Sequence, residues 1–416
     1  MKFELRLTAP PLSARVSRET VASTLAKLVA SGSATSKAEL GRATGLSRTT
    51  VDAGVQTLID IGALRVGGIK VVPGRGRPAE TLELDPEFGI VLVADCGSTH
   101  ASLAVFDLGQ RMIDRVDIDI RLDAGPERVL PDLGGRFSDM LERLGRPDTP
   151  RSLVMGLPGP VDHWGGAVVR PPIMPGWDGY PVVDRMRELL GGPVMLENDV
   201  NLRALGEARA APLTRGPLLY VKVGTGIGVG IVGADGTLIR GADGAAGDVG
   251  HVRASLAAKT PCTCGSIGCL EAVASVRAVG LALGFDGSDQ IGLTRSVMAL
   301  IEQQDPPALR IVKEAAEQIG EVVVSLIHFV NPERVLVGGS LSMASDHLLA
   351  IIRSIVYSRA LPLATRNLTM ARPVYGRRSG LAGGLVMGLE SELEPEALAR
   401  RPVRKALPPR PRYYAR

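Results

Sequence analysis

The chain has 416 residues, 45% of them hydrophobic and 22% charged, which is enough for two or three packed units and rules out a disordered chain. Its 50 glycines follow no three-residue period, which excludes collagen. The net charge of +4 is divided: residues 1–80 hold twelve Lys or Arg against six acids, residues 397–416 hold seven bases and no acid, and the stretch between carries −9.

An acidic middle is a poor nucleic-acid surface, so DNA contact is expected near the N-terminus. The basic tail RRPVRKALPPRPRYYAR reads either as a solvated, Pro-broken terminus or as a polyanion contact. Without a run of about 18 apolar residues, and with Glu4 in the leading segment, neither a membrane span nor a signal peptide is expected, and the protein is expected in the cytoplasm.

From Ser17 to Ala30, Val21, Leu25, Leu28 and Val29 form the stripe of a helix lying on a core, which Gly32 ends. Ser36 and Glu39 are a capping box for a short helix that stops at Gly45. Ser47 caps a third helix with Val51, Val55, Leu58 and Ile59 facing inward, Gly62 closing it, and Ser47, Arg48, Thr49 and Thr50 exposed in its first turn. This is a helix-turn-helix pattern, in which the second helix presents its first turn to the major groove. LRVGG and IKVVPG then alternate as a small hairpin, followed by Gly74, Arg75, Gly76, Arg77 and Pro78. The stretch resembles a wing whose two arginines suit a minor groove or phosphates. The same elements also suit a dimerisation or adaptor module.

Further along, strand IVLVAD ends in Asp95-Cys96-Gly97-Ser98-Thr99-His100 and continues as ASLAVFDLGQ. Such a hairpin can hold a nucleotide phosphate on its backbone amides and the Thr99 hydroxyl, with Asp95 placed for a Mg²⁺ and its waters. The pattern returns about 130 residues later, where LLYVKV meets Gly224-Thr225-Gly226-Ile227-Gly228 and leads into VGIV, suggesting duplicated halves that close on one nucleotide. Gly338 and Gly339 after RVLV suit either an adenosine or a plain strand-to-helix turn. Between these loops, GPVMLEND places Glu197, Asn198, Asp199 and Asn201 at the end of a buried strand, where open α/β sheets hold ligands. A carboxylate there can act as general base on a hydroxyl aligned with a γ-phosphate, and Asn-Asp also reads as a cap for the next helix.

In GHVRASLAAKTPCTCGSIGCLE, one imidazole and three thiolates, His251, Cys262, Cys264 and Cys269, match a closed tetrahedral Zn²⁺ site of structural type, with Gly265 and Gly268 letting the backbone curl. Asp248 and Glu271 flank it as acceptors for polyol hydroxyls or as ordinary surface charge. Cys96 lies apart and reads as a small buried residue.

The ordered set DCGSTH, LPGPVD, LENDVN, GTGIGVGIV, GDVGH, CTCGSIGCLE and VLVGGS resembles the ROK family of sugar kinases and sugar-responsive repressors over residues 90 to about 390. With the N-terminal winged helix, it resembles the regulator branch. The resemblance implies an α/β fold: a winged helix-turn-helix over 1–80 and a two-lobed actin-like, sugar kinase-like ATPase domain over 81–396, with lobes at about 88–200 and 201–390 and a basic tail over 397–416. It implies a homodimer or homotetramer and operator DNA and a sugar effector as partners. Asp199 takes the place of the catalytic base of a kinase. Asn198, Asp199, Asp248, His251 and Glu271 match sugar-binding positions, and His251 would also bind zinc. Asp95, Gly97, Thr99, Gly224, Thr225, Gly226, Gly228, Gly338 and Gly339 match nucleotide-binding ones, where Mg-ATP would serve an active kinase. Two departures stand out: Ser98 replaces a loop glycine, and Asp248 is one methylene shorter than the usual Glu. The expected function is a sugar-responsive transcriptional regulator, a repressor; the alternative is an ATP-dependent hexose kinase with an accessory DNA-binding domain, or one protein doing both.

Overall fold

Ser17, Ser36 and Ser47 each begin a helix, because each side-chain oxygen accepts a backbone N–H that the first helical turn leaves unpaired. The computed structural model describes residues 1–9, 16–70, 79–147, 151–254 and 259–402. The chain divides into two compact units, one of residues 1–90, 106–112 and 389–416, the other of 91–105 and 113–388.

In the first unit, α1 (Arg18–Ala30), α2 (Lys37–Thr44) and α3 (Arg48–Asp60) follow the expected pattern. The capping box is complete: Glu39 N–H donates to Ser36 Oγ at 3.3 Å and Ser36 N–H to Glu39 Oε2 at 3.1 Å. Gly45 takes the left-handed conformation, φ 69°, that turns α2 into α3. Val21, Leu25, Val29, Val51, Val55 and Leu58 are buried, while Leu28 and Ile59 at the rim are half-buried. At Gly54 a Cβ would come within 2.7 Å of Leu25 Cδ1, so α1 and α3 cross closely there and a larger residue would have to displace that side chain.

The wing is built differently from the expected hairpin. LRVGG and IK form one strand, β1 (Leu64–Lys70), which pairs antiparallel with β2 (Ala79–Leu84) from Leu64↔Leu84 to Lys70↔Ala79. Gly67 and Gly68 keep ordinary φ and mark a bulge beside Glu83; they are not a turn. The boundary expected at residue 80 therefore cuts through β2. Arg75 and Arg77 lie outside the described residues.

The remaining pieces of this unit come from far along the sequence. Phe3, Leu5 and Leu7 alternate into its core. The Gln110 amide holds this leading segment: Leu5 N–H donates to Gln110 Oε1 at 2.8 Å, and Gln110 Nε2 donates to Leu5 O at 2.9 Å and Ala30 O at 2.8 Å. Lys27 pairs with Glu394 at 2.7 Å, beside the helix Pro395–Ala399. The tail expected from residue 397 thus begins inside a helix, and its residues 403–416 lie outside the described set.

The second unit carries two sheets. The first has the order β5-β4-β3-β6-β9, from β3 (Ile90–Cys96), β4 (His100–Asp107), β5 (Met112–Asp119), β6 (Arg151–Leu157) and β9 (Val194–Asn198), with a small β7–β8 hairpin (Val161–Asp162 and Ala167–Val168) beside it. The second has the order β11-β10-β12-β13, from β10 (Leu218–Val223), β11 (Ile227–Val232), β12 (Arg334–Gly338) and β13 (Thr369–Ala371). In each sheet the strand entering a glycine-hydroxyl loop lies between its hairpin partner and a strand from later in the chain; β10 and β12 pair in parallel. That repeat is the duplicated half expected from the two loops. Helices α4 (Pro126–Arg143) and α5 (Val182–Leu190) accompany the first sheet, and α6 (Asp199–Ala210) follows β9 directly. Among the described residues no helix is long and apolar enough to cross a membrane.

Candidate functional site

Asn198 ends β9 and caps α6, its Oδ1 accepting Val200 N–H at 2.8 Å and Asn201 N–H at 3.2 Å. Its Nδ2 donates to Gly159 O at 2.9 Å, so one amide N–H is left to meet a ligand. The cap and the ligand reading are therefore compatible. Behind the cap Glu197, 1% exposed, accepts from Asn198 N at 2.9 Å, Asn201 Nδ2 at 2.9 Å and Arg240 Nε at 2.7 Å, which fixes the strand end against the loop carrying Asp248.

One cavity is walled by Asn198, Asp199, Asp248, His251 and Glu271, together with Gly226 and Gly228. All five expected sugar-binding residues thus come together. Glu271 Oε2 accepts Ile227 N–H at 3.0 Å, and burial pushes its carboxyl up against that hydrogen bond. The loop 244–251 reaches the wall because Gly247, at φ 93°, lies so close to β11 that a Cβ would sit 1.8 Å from Val229 O.

A second, larger cavity of about 580 Å³ adjoins it, and Ser98 and Lys222 line both. Gly97, Thr99, Gly224, Thr225 and Gly339 line the second cavity; Asp95 and Gly338 are buried behind its wall. In its lining Thr225 Oγ1 lies 3.1 Å from Ser98 Oγ, so the two loop hydroxyls bond to each other.

The expectation that Asp95 offers an open carboxylate to Mg²⁺ is corrected. Asp95 is fully buried, and Arg203 Nη2 donates to both of its oxygens at 2.9 Å. Burial opposes the Arg203 charge most strongly, but Asp95, Tyr220 and Asp199 together outweigh it and hold the guanidinium above its ordinary value. Lys222 Nζ likewise donates to Asp199 Oδ2 at 2.5 Å. Sequence reading missed both cations. The signal for Lys222 was a lysine inside an otherwise apolar strand; Arg203 looked like ordinary helix charge. Cys96 is the inert buried thiol expected, pushed well up by burial.

The four ligand atoms of His251, Cys262, Cys264 and Cys269 lie within 4.8 Å of one another. Cys264 Sγ is 3.7 Å from Cys269 Sγ, and Cys262 Sγ is 3.6 Å from His251 Nδ1. A tetrahedral Zn²⁺ with bonds of about 2.3 Å to sulfur sets sulfurs about 3.8 Å apart, so the donor set fits that ion. Gly265 and Gly268, at φ 91° and 75°, supply the curl. The Ser266 backbone N–H beside Cys264 holds its thiol down to about 7. With Nδ1 turned to the thiols, His251 joins this knuckle to the cavity wall.

In the first unit Ser47, Arg48 and Thr49 are exposed and Thr50 half-exposed on α3. Ser47 Oγ bonds the Thr49 and Thr50 hydroxyls at 2.9 and 2.8 Å, and the Arg48 side chain is 96% exposed, 3.8 Å from Asp52.

Comparison with known proteins matches these two units. A xylose repressor from Caldicellulosiruptor bescii is 26% identical over 86% of this chain and 92% of its own length. A glucokinase from Halalkalibacterium halodurans is 28% identical over 72% of this chain and 96% of its own. The crystal structure of a ROK family transcriptional regulator, a homologue of the Escherichia coli Mlc protein, shares the fold over 92% of this chain and 98% of its own, with a TM-score of 0.74 at 22% identity. The model of the ROK family itself matches residues 91–390, the whole two-sheet unit with both cavities and the cysteine knuckle, and the chain belongs to that family.

Proposed function

We propose that the protein is a sugar-responsive DNA-binding regulator, a repressor, whose effector occupies the cavity walled by Asn198, Asp199, Asp248, His251 and Glu271. The observation that carries this is a helix-turn-helix with an exposed Arg48 in the same chain as a cavity lined by polyol-type acceptors. The similarity to a xylose repressor over most of both chains supports it. As a homodimer the protein would set two α3 helices on a pseudo-palindromic operator, and a sugar that favours one closure of the lobes would change operator affinity by population shift. The test is operator binding with and without glucose or xylose: a sugar-dependent change in affinity is expected, and a sugar that binds without altering it would sink the regulatory reading. Arg48→Ala is expected to cost about 1–3 kcal/mol of operator affinity at physiological salt, measured by titration of labelled DNA.

The knuckle would hold a structural Zn²⁺ on His251 and the three cysteines, closing its shell and bracing the cavity wall. Protein purified without chelator is expected to carry one Zn per chain, and Cys269→Ala to lose it together with sugar affinity. Elemental analysis checks the first and calorimetry the second. The similarity to a glucokinase supports a second reading, an ATP-dependent hexose kinase, for which ADP release abolished by Asp199→Asn would be the sign.

A further inference from the structure

A nucleotide-bound Mg²⁺ needs carboxylate oxygens that are not already neutralised. Here Asp95, the carboxylate expected beside Mg²⁺, and Asp199, the one expected as general base next to the γ-phosphate, each carry a cation supplied by the chain. Arg203 lies one turn after Asp199 on α6, and Nη2 takes both Asp95 oxygens. Lys222, in the register of β10 opposite Gly228 of β11 and Gly338 of β12, reaches Asp199 Oδ2. Both cations are placed at the cleft: Arg203 lines the second cavity, and Lys222 lines both cavities at their junction. The Ser98–Thr225 hydroxyl bond ties the two loops together in the wall of the second cavity. A metal–nucleotide complex would have to break two ion pairs and stand beside two like charges. The residues present do not fit it.

We infer that Arg203 and Lys222 are internal counter-ions standing in place of the metal, so that the first cavity takes a sugar without Mg²⁺ or nucleotide. Lys222 occupies only Oδ2 of Asp199, and Oδ1 remains to accept a sugar hydroxyl. This inference rests on the reading of the first cavity as a sugar site. It makes Lys222 the residue that determines whether the cleft receives a sugar alone or a sugar with a metal–nucleotide.

The test uses the full-length chain in buffer freed of Mg²⁺ by resin, sparing the cysteine knuckle from chelators. Calorimetry with glucose and with xylose, with and without added Mg²⁺, is expected to give affinities that agree within about threefold. Mn²⁺–ATP, followed by the paramagnetic resonance of Mn²⁺, is expected to bind Lys222→Ala at least about tenfold more tightly than wild type, and the gain is expected to vanish in Lys222→Ala/Asp199→Asn. Lys222→Ala leaves Asp199 facing a cavity that water can enter, so it should fold; Arg203→Ala is the second variant, scored the same way if it folds. Sugar binding that requires Mg²⁺, or Mn²⁺–ATP bound equally by wild type and Lys222→Ala, overturns the inference. Binding of neither sugar under any condition removes the sugar reading of the cavity, while the Mn²⁺ result still decides the role of the two cations.

Discussion

Arg203→Ala is expected to destabilise the protein by about 3–5 kcal/mol at neutral pH, because it leaves the fully buried Asp95 carboxylate without its partner. The backbone packs tightly against the carboxylate: a Cβ on Gly380 would fall within 2.2 Å of Asp95 Oδ2. Burial already pushes the Asp95 carboxyl up, and removing Arg203 takes away the strongest effect opposing it. In the variant Asp95 therefore has a folded pKa above its unfolded one. A group of that kind contributes stability below its unfolded pKa and loses it as pH rises through the folded value. The penalty should accordingly be smallest in acid, near pH 4, and grow towards neutrality. Urea unfolding of wild type and variant across that range measures it. A double variant Asp95→Asn/Arg203→Met, with no charge left to bury, should recover part of the loss. A penalty under about 1 kcal/mol, or one that does not vary with pH, would show that the pair is not the buried ion pair described.

Gly247→Ala is expected to lower sugar affinity at least about tenfold and stability by about 2–4 kcal/mol. Two costs combine. The residue has φ 93°, where a side chain is strained, and the new methyl would stand 1.8 Å from Val229 O, a backbone atom that cannot rotate away. Gly247 O also accepts Val229 N–H at 2.9 Å, so pushing the loop off β11 breaks a hydrogen bond and carries Asp248 and His251 with it. Gly284→Ala provides the comparison: its φ is 87°, but no atom lies within 4 Å of the added methyl, so only the conformational cost of about 1–2 kcal/mol remains. Calorimetry with the sugar and thermal unfolding of both variants separate the two contributions. Equal effects at the two glycines would refute the loop's role in placing the cavity wall.

Much of this was legible in the sequence where the signal is local. Ser36 and Glu39 are three residues apart and read as a cap without any knowledge of the fold. The glycine-hydroxyl loops and the cysteine knuckle are likewise contiguous strings, and they led directly to the two sheets and the metal donor set. The misplaced wing turn has a clear cause: Gly67-Gly68 serves a turn or a bulge equally well, and which one it serves depends on Glu83 in the partner strand. Phe3, Leu5 and Leu7 alternate plainly, yet a period of two says only that an extended segment is buried on one face, not that the Gln110 amide holds it. The Asp95–Arg203 pair spans 108 residues, and no local periodicity connects its members. Charges that neutralise each other inside a fold look the same in a sequence as charges exposed to solvent.

The Gln110 clamp bears on how such proteins can be recombined. The backbone of Leu5 has its donor and acceptor satisfied by a side chain 105 residues away, and Lys27 of the first helix is neutralised by Glu394, 367 residues on. A gene fragment ending at residue 80 would encode the three helices but leave these groups without partners in the fragment. Exchange of the first unit between relatives is therefore a transplant of three coordinated segments, and a single crossover after β2 would pair Leu5 and Lys27 with residues chosen by another history.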